Sequence, residues 1–151
     1  MTDACDITHR PPPPDQNPSE EEIGRLIKES KTIAVVGLSN KPHRESYLVG
    51  KYLRDNGYEI IPVHPNISEW EGLKVYKRLS DIPGRVDIVD IFRRADAIGE
   101  MTDEIIAKKP KAAWLQLGIV NNEAAAKLRD AGMTVVQDRC LKVEHMARRR
   151  G

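Results

Sequence analysis

The chain has 151 residues and a formal net charge of +1, from 24 lysines and arginines against 23 aspartates and glutamates. This length fits one domain of about 130 residues plus a tail, and hydrophobic and charged fractions of 40% and 31% are typical of a globular protein. Because the charges balance, we expect neither nucleic acid nor a membrane surface as a partner. Two cysteines, Cys5 and Cys140, cannot form a disulfide framework, so we expect a reducing, cytoplasmic setting.

The first 18 residues are rich in proline. They contain five of the ten prolines, including the run 11–14, and only four apolar residues. Such a segment cannot bury enough apolar surface to offset the conformational entropy lost on ordering. We therefore interpret residues 1–18 as an extended or disordered tail and residues 19–151 as the folded domain. A polyproline ligand for a partner protein is the alternative interpretation of the tail.

The folded domain is predicted to begin with a helix and a buried strand. Ser19 is followed three residues later by Glu22, the capping-box pattern that satisfies the first free amides of a helix. The apolar run 32–37 ends in glycine, which is typical of a strand buried on both faces of a parallel sheet. Ser46 is predicted to cap a second helix at residues 47–56.

Strands and helices then alternate to the end of the chain. The strand at 60–63 contains Pro62, which favours an edge position or a strand terminus because proline cannot donate to a ladder. Further strands are predicted at 87–92, 112–117 and 134–137, with a short helix near 79–82 and helices at 96–108, 123–131 and 141–150. The alternation predicts an α/β fold, a three-layer, Rossmann-like, doubly wound parallel five-stranded sheet in a single domain. We expect the strand order 3-2-1-4-5, reversing beside the first strand.

In such sheets, ligands bind at the carboxyl ends of the strands, near the reversal of strand order. The loop after the first strand offers a glycine for a sharp turn, hydrogen-bonding side chains, two cations and the start of a helix whose free amides attract anions. Its candidate phosphate-binding residues are Gly37, Ser39, Asn40, Lys41 and Arg44. The loop has neither the G-x-G-x-x-G nor the G-x-x-x-x-G-K-[ST] pattern. A solvated loop with two surface charges is therefore the alternative.

The end of the second strand disfavours NAD. An acid at this carboxyl end would hold the NAD ribose, but Glu59 precedes the strand, which ends in Val63, His64 and Pro65. The apolar side chains at this end are suited to packing a purine, with His64 facing a phosphorylated ribose. The alternative for His64 is a partly exposed turn residue.

The third and fourth strands also end in residues of functional interest. Arg93 and Arg94 lie together after the third strand, which indicates either an anion or salt bridges to Asp90 or Asp96. Gly118 follows the fourth strand and would let a ligand approach the backbone.

The sequence contains little that indicates a catalytic site. Cys140 follows the fifth strand beside Arg139, and a nearby cation lowers the pKa of a thiol; an inert, apolar cysteine is the alternative. The sequence has no recognisable Ser/His/Asp set, no carboxylate pair with a defined reaction geometry, and no histidine or cysteine spacing of a metal site. A binding protein is therefore favoured over an enzyme.

Several motifs at these loops resemble one family. The matching segments are residues 33–47 (IAVVGLSNKPHRESY), 57–65 (GYEIIPVHP), 86–94 (VDIVDIFRR), 114–118 (WLQLG) and 138–140 (DRC). Over about residues 19–146 the chain resembles the small CoA-binding domain proteins, single-domain relatives of the nucleotide-binding domain of succinyl-CoA synthetase alpha subunits. The family usually has asparagine where this chain has His64.

The resemblance implies a Rossmann-like domain that binds CoA, or an acyl-CoA, with the ADP portion at the reversal of strand order. It places Gly37, Ser39, Asn40 and Lys41 at the phosphates, Val63, His64 and Pro65 on the adenosine side, Phe92 with Arg93 or Arg94 at the next crevice, and Leu117 and Gly118 beside the pantetheine path. It does not extend to ligase activity, because the synthetase subunit keeps its phosphorylated histidine in another domain.

We therefore expect a non-catalytic carrier, sensor or regulatory module whose partner is a small molecule. The alternatives are an acyl-CoA-processing enzyme that uses Cys140 or His64, and an NADP-binding domain in which Lys41, His64 and Arg93 hold the 2′-phosphate. An exposed edge strand would also allow a homodimer.

Overall fold

Helices and strands alternate along residues 13–149, which the computed structural model describes. The strands are β1 (Thr32–Val36), β2 (Glu59–Val63), β3 (Glu69–Trp70), β4 (Leu73–Lys74), β5 (Ile88–Ile91), β6 (Ala112–Leu115) and β7 (Thr134–Val136). The helices are α1 (Glu20–Glu29), α2 (Glu45–Asp55), α3 (Ala95–Ile98), α4 (Thr102–Lys108), α5 (Asn122–Asp130) and α6 (Leu141–Arg148). None of these helices has the length and apolar character that a bilayer crossing requires.

Five strands form one parallel sheet in the order β2-β1-β5-β6-β7, and β3 and β4 form a separate antiparallel pair. The predicted α/β fold with a five-stranded parallel sheet is therefore confirmed. The order 3-2-1-4-5 is wrong, because the third long strand, β5, pairs with β1 rather than lying beyond β2. The order still reverses beside β1, as predicted.

Pro62 explains why no long strand extends the sheet beyond β2. Its carbonyl accepts the Tyr76 N–H at 2.9 Å on the outer side of β2, and the His64 N–H donates to the Tyr76 carbonyl at 2.9 Å. The nitrogen of Pro62 lies on this same outer side, where it cannot donate to a ladder. A single bridge between Val63 and Tyr76 covers the edge instead. Of the two alternatives given for Pro62, an edge position and a strand terminus, the structure shows the edge position.

The sheet separates two hydrophobic cores, which gives the predicted three layers. One face packs against α3, α4 and α5 through Ile98, Ile105 and Leu128. The other face packs against α1, α2 and α6 through Ile23, Val49, Leu53 and Leu141. Trp70 and Trp114 are 1% and 0% exposed and belong to this second core.

The capping box at Ser19 is confirmed: its hydroxyl accepts the Glu22 N–H at 3.1 Å. The predicted helix 96–108 is instead divided into α3, a 3₁₀ turn at Gly99–Met101, and α4. Gly99 falls at the division, consistent with the low helix propensity of glycine.

Most of the predicted tail lies outside the described residues, which begin at 13. Residues 13–18 have no helix or strand, and Asn17 exchanges two hydrogen bonds with the Gln137 backbone, at 2.9 and 2.8 Å. This segment therefore contacts the domain beyond the end of β7. The boundary between tail and domain stays a prediction.

Candidate functional site

A cleft opens at the carboxyl ends of β1 and β5, where the strand order reverses. We call it the loop cleft. It has a volume of about 510 Å³ and is lined by Gly37, Ser39, Asn40, Lys41, Arg44, Glu45, Ser46, His64, Ile67 and Phe92. The structure therefore brings the candidate residues of the first loop together with His64 and Phe92, which come from different parts of the sequence.

Gly37 lets the chain leave β1 close to the neighbouring strand end. Its φ is +87°, and a Cβ at this position would lie 2.6 Å from the carbonyl oxygen of Phe92. Its N–H donates to the Val63 carbonyl at 2.8 Å. A side chain would both strain this backbone and collide with the Phe92 carbonyl, immediately after β5, so the shape of the loop cleft depends on glycine here.

Hydrogen bonds fix the loop that follows. The Ser39 N–H donates to the Ser46 hydroxyl at 2.9 Å, and the Lys41 N–H donates to the Ser39 hydroxyl at 3.0 Å. The indole N–H of buried Trp70 donates to the Ser39 carbonyl at 3.0 Å. The prediction that Ser46 caps α2 is wrong: Ser46 lies inside the helix, and its hydroxyl is used to hold the loop.

The amino end of α2 is suited to an anion. Side chains cap α1 and α5, from Ser19 and Asn121, whereas the Arg44 side chain makes no capping hydrogen bond to the 11-residue α2. The first amides of a helix lack intrahelical acceptors and carry the positive end of its dipole. Lys41 and Arg44, both exposed, add positive charge beside this end. Such an arrangement can bind a phosphate group.

His64 contributes a neutral donor rather than a charge. Its Nδ1 accepts the Asn66 N–H at 3.0 Å, so the ring proton of the neutral form lies on Nε2. Partial burial and the nearby Arg93 guanidinium lower the pKa of His64. At neutral pH the side chain therefore offers a hydrogen-bond donor at the loop cleft, which weakens its proposed role as a cation for the NADP 2′-phosphate.

A second cavity adjoins the first, and we call it the apolar cavity. It has a volume of about 470 Å³ and is lined by Glu45, Phe92, Arg93, Arg94, Gln116, Leu117 and Ile119. Glu45 and Phe92 are shared with the loop cleft. Leu117 is 69% exposed, an unusual position for a large apolar side chain and one that suits contact with a ligand.

A third cavity lies on the β2 side of Gly37, and we call it the basic cavity. It has a volume of about 230 Å³ and is lined by Val36, Gly37, Val63, Pro65, Lys77, Arg78, Leu79, Arg93, Met101 and Glu104. The predicted adenosine-side residues Val63 and Pro65 thus lie here, while His64 faces the loop cleft. Lys77 and Arg78 were not singled out from the sequence. The pattern that could have indicated them is two adjacent cations after the second strand, immediately before the 3₁₀ turn at Leu79–Asp81.

Gly118 and Cys140 lie outside these three cavities. The Gly118 N–H donates to the Asp138 carboxylate at 2.7 Å. Cys140 is buried in the core beneath α1, α2 and α6. The neighbouring Arg139 is paired with Glu20 and Glu144, at 2.7 and 3.2 Å. These contacts support the inert, apolar interpretation of the cysteine.

The two arginines after β5 do not pair with Asp90. Arg94 pairs with Asp96 at 3.3 Å, and both side chains are exposed. Asp90 is 0% exposed, and neither of its carboxylate oxygens has a hydrogen-bond partner among residues 13–149. Burial raises the pKa of Asp90 well above its ordinary value, which favours the protonated form of this carboxyl group. Over the same residues, no cluster of histidine, cysteine, aspartate or glutamate could hold a metal ion.

Known proteins are similar to this chain in sequence and in fold. The chain is 45% identical to the uncharacterized protein YneT of Bacillus subtilis (strain 168) over 130 residues, which cover 86% of this chain and 96% of that protein. The solved structure of a hypothetical protein from Pyrococcus horikoshii OT3 is 35% identical, with a TM-score of 0.84, covering 91% of this chain and 96% of that one.

Part of a larger enzyme subunit is also similar. The alpha subunit of ADP-forming acetate–CoA ligase II from Pyrococcus furiosus is 42% identical over 60 residues, which cover 39% of this chain and 13% of the subunit. The family model described as CoA binding domain matches residues 31–146. These residues include β1 to β7 and all three cavities. The chain belongs to the CoA binding domain family.

Proposed function

We propose that this protein binds CoA, or an acyl-CoA, through its phosphate and adenosine portions at the carboxyl ends of the strands. The observation that carries the proposal is the loop cleft. There the uncapped amino end of α2 lies beside Lys41 and Arg44, at the reversal of strand order, in a member of the CoA binding domain family. Free helix amides and two cations match the diphosphate of CoA.

The neighbouring surfaces fit the remaining parts of the ligand. Val63 and Pro65 offer apolar contacts to an adenine, and His64 offers its Nε2–H beside the loop cleft. Phe92 and Leu117 offer apolar contacts to the pantetheine arm in the apolar cavity. The diphosphate and the phosphorylated adenosine of CoA are charged, and its pantetheine arm is largely apolar. The loop cleft and the basic cavity offer cations, and the apolar cavity offers apolar side chains.

The role is that of a carrier, sensor or regulatory module without chemistry of its own. Cys140 packs in the core and cannot reach a ligand. The Nδ1 of His64 accepts a backbone hydrogen bond, so the neutral ring presents a donor at Nε2 and no free base. Acyl-CoA turnover that is lost in Cys140→Ala or His64→Ala would contradict this role. The proposal includes a cytoplasmic location, where CoA would be the small-molecule partner.

The test is calorimetric titration with CoA, NAD and NADP, after any co-purified ligand has been stripped and identified by mass spectrometry. We expect one-to-one binding of CoA. Lys41→Ala should weaken it by about tenfold, since a hydrogen bond to a charged group is worth about 1.5–3 kcal/mol and the exposed site discounts this.

Lys31→Ala is the matched control for that titration. Lys31 is exposed and lies immediately before β1, at the amino ends of the strands and away from the loop cleft. Its substitution should therefore leave the affinity for CoA unchanged. Clear NADP binding without CoA binding would contradict the proposal and favour the NADP-binding alternative.

A further inference from the structure

The residues that line the basic cavity carry a net positive charge. Lys77, Arg78 and Arg93 are exposed at its lining, against the single carboxylate of Glu104. Glu104 lies 4.0 Å from Arg78 and accepts the Ser80 N–H at 2.8 Å. One carboxylate cannot balance three cations, so the cavity attracts an anion.

The basic cavity also adjoins the two cavities of the proposed CoA site. It shares Gly37 with the loop cleft and Arg93 with the apolar cavity. The guanidinium of Arg93 is close enough to His64 to lower the pKa of that ring. A ligand whose diphosphate lies in the loop cleft therefore has a second positively charged cavity directly beside it.

The size and walls of this cavity match part of a nucleotide. Its volume of about 230 Å³ is below the roughly 300–1,000 Å³ of pockets that enclose a whole drug-sized ligand. Val63, Leu79 and Met101 form apolar walls, and the cations lie beside them. A flat apolar ring that bears a nearby anion fits this combination, and an adenosine with a phosphorylated ribose is such a group.

We propose that the basic cavity holds the adenosine 3′-phosphate of CoA, with Lys77 and Arg78 binding the 3′-phosphate. This inference rests on the proposed function and extends it, since it makes these two residues the determinants that distinguish CoA from its dephosphorylated form. Lys41 and Arg44 then serve the diphosphate, which both forms of the ligand contain.

The test compares CoA with 3′-dephospho-CoA by calorimetry, in the unaltered protein and in the double variant Lys77→Ala/Arg78→Ala. We expect the unaltered protein to prefer CoA by about 10- to 100-fold, the usual effect of charge-assisted hydrogen bonds. The double variant should lose this preference, while its affinity for 3′-dephospho-CoA stays unchanged. Both side chains are exposed, so the variant is expected to fold, and its thermal unfolding checks this.

Three further variants separate a local contact from general electrostatics. Lys77→Arg/Arg78→Lys keeps the charge and should retain the preference. Lys31→Ala/Arg85→Ala removes the same charge from exposed positions before β1 and β5 and should also retain it. Lys41→Ala should weaken CoA and 3′-dephospho-CoA by the same factor, because both ligands carry the diphosphate.

Two outcomes would overturn the inference. If Lys77→Ala/Arg78→Ala weakened both ligands equally, or neither, the 3′-phosphate would lie elsewhere while CoA binding itself remained established. If the unaltered protein bound NADP in preference to NAD but did not bind CoA, the basic cavity would serve a 2′-phosphate. That result would overturn the proposed function as well.

Discussion

Gly37 is the residue at which the backbone depends most directly on the absence of a side chain. We expect Gly37→Ala to lower the free energy of unfolding by about 2–4 kcal/mol, because it combines a positive φ with a collision against the Phe92 carbonyl. Gly57→Ala is the matched control. Its φ is +97°, but no atom lies within 4 Å of the added Cβ, so only the backbone strain of about 1–2 kcal/mol applies. Equal losses in urea unfolding would contradict the collision at Gly37.

Asp90 makes stability depend on pH. Its folded-state pKa is raised above the ordinary value of 3.8 by burial, so the folded protein keeps a proton that the unfolded chain has released. The contribution of Asp90 to the free energy of unfolding therefore falls as pH rises from about 4 toward the folded-state pKa.

The variant Asp90→Asn tests this dependence. We expect the difference in unfolding free energy, variant minus unaltered protein, to increase with pH by up to about 1.4 kcal/mol per pH unit. Urea unfolding at several pH values between about 4.5 and 7.5 measures it. Asp96→Asn, at an exposed carboxylate, should leave the slope unchanged. Parallel pH curves for Asp90→Asn and the unaltered protein would show that Asp90 is ionised in the fold.

At the scale of single residues, the candidate site was predictable where its members are adjacent in sequence. The loop from Gly37 to Arg44 was identified because its glycine, polar and cationic residues follow one buried strand. Lys77 and Arg78 were missed because only the pairing of Tyr76 with the outer edge of β2 brings them to the site. No spacing rule in the sequence records that pairing.

At the scale of secondary structure elements, the loop before α2 is held in place by the helix itself. The Ser46 hydroxyl, inside α2, accepts the Ser39 N–H at 2.9 Å, which leaves the amino end of the helix without a side-chain cap. The sequence predicted a cap because serine before an apolar helix normally serves as one. The same hydroxyl is equally able to accept a loop amide, and only the folded geometry distinguishes these two uses.

Ser46→Ala tests this connection between helix and loop. The loss of a buried acceptor should lower the unfolding free energy by about 1–2 kcal/mol and weaken CoA binding, because the loop is no longer fixed. Ser80→Ala, at an exposed serine, is the control and should change neither quantity. CoA affinity that is unaffected in Ser46→Ala would mean that the ligand itself is sufficient to order the loop.

At the scale of the whole molecule, the alternation of apolar strands and helices predicted the α/β class, the parallel sheet and the three layers. It did not predict the strand order, because the buried runs at β1, β2 and β5 have similar apolar character and do not specify their neighbours. Pro62 favoured an edge position or a strand terminus for β2. Only the first of these alternatives conflicts with the expected order 3-2-1-4-5, and the structure shows that β2 does lie at the edge. Formation of a homodimer stays a prediction.

The three cavities share lining residues at the carboxyl ends of the strands, so one CoA molecule is proposed to extend across all of them. The most direct test is a crystal structure of the protein with CoA. We expect the diphosphate at the amino end of α2, beside Lys41 and Arg44. CoA bound instead in the groove between α1 and α6, which Tyr58, His145 and Arg149 line, would contradict this placement of the binding site.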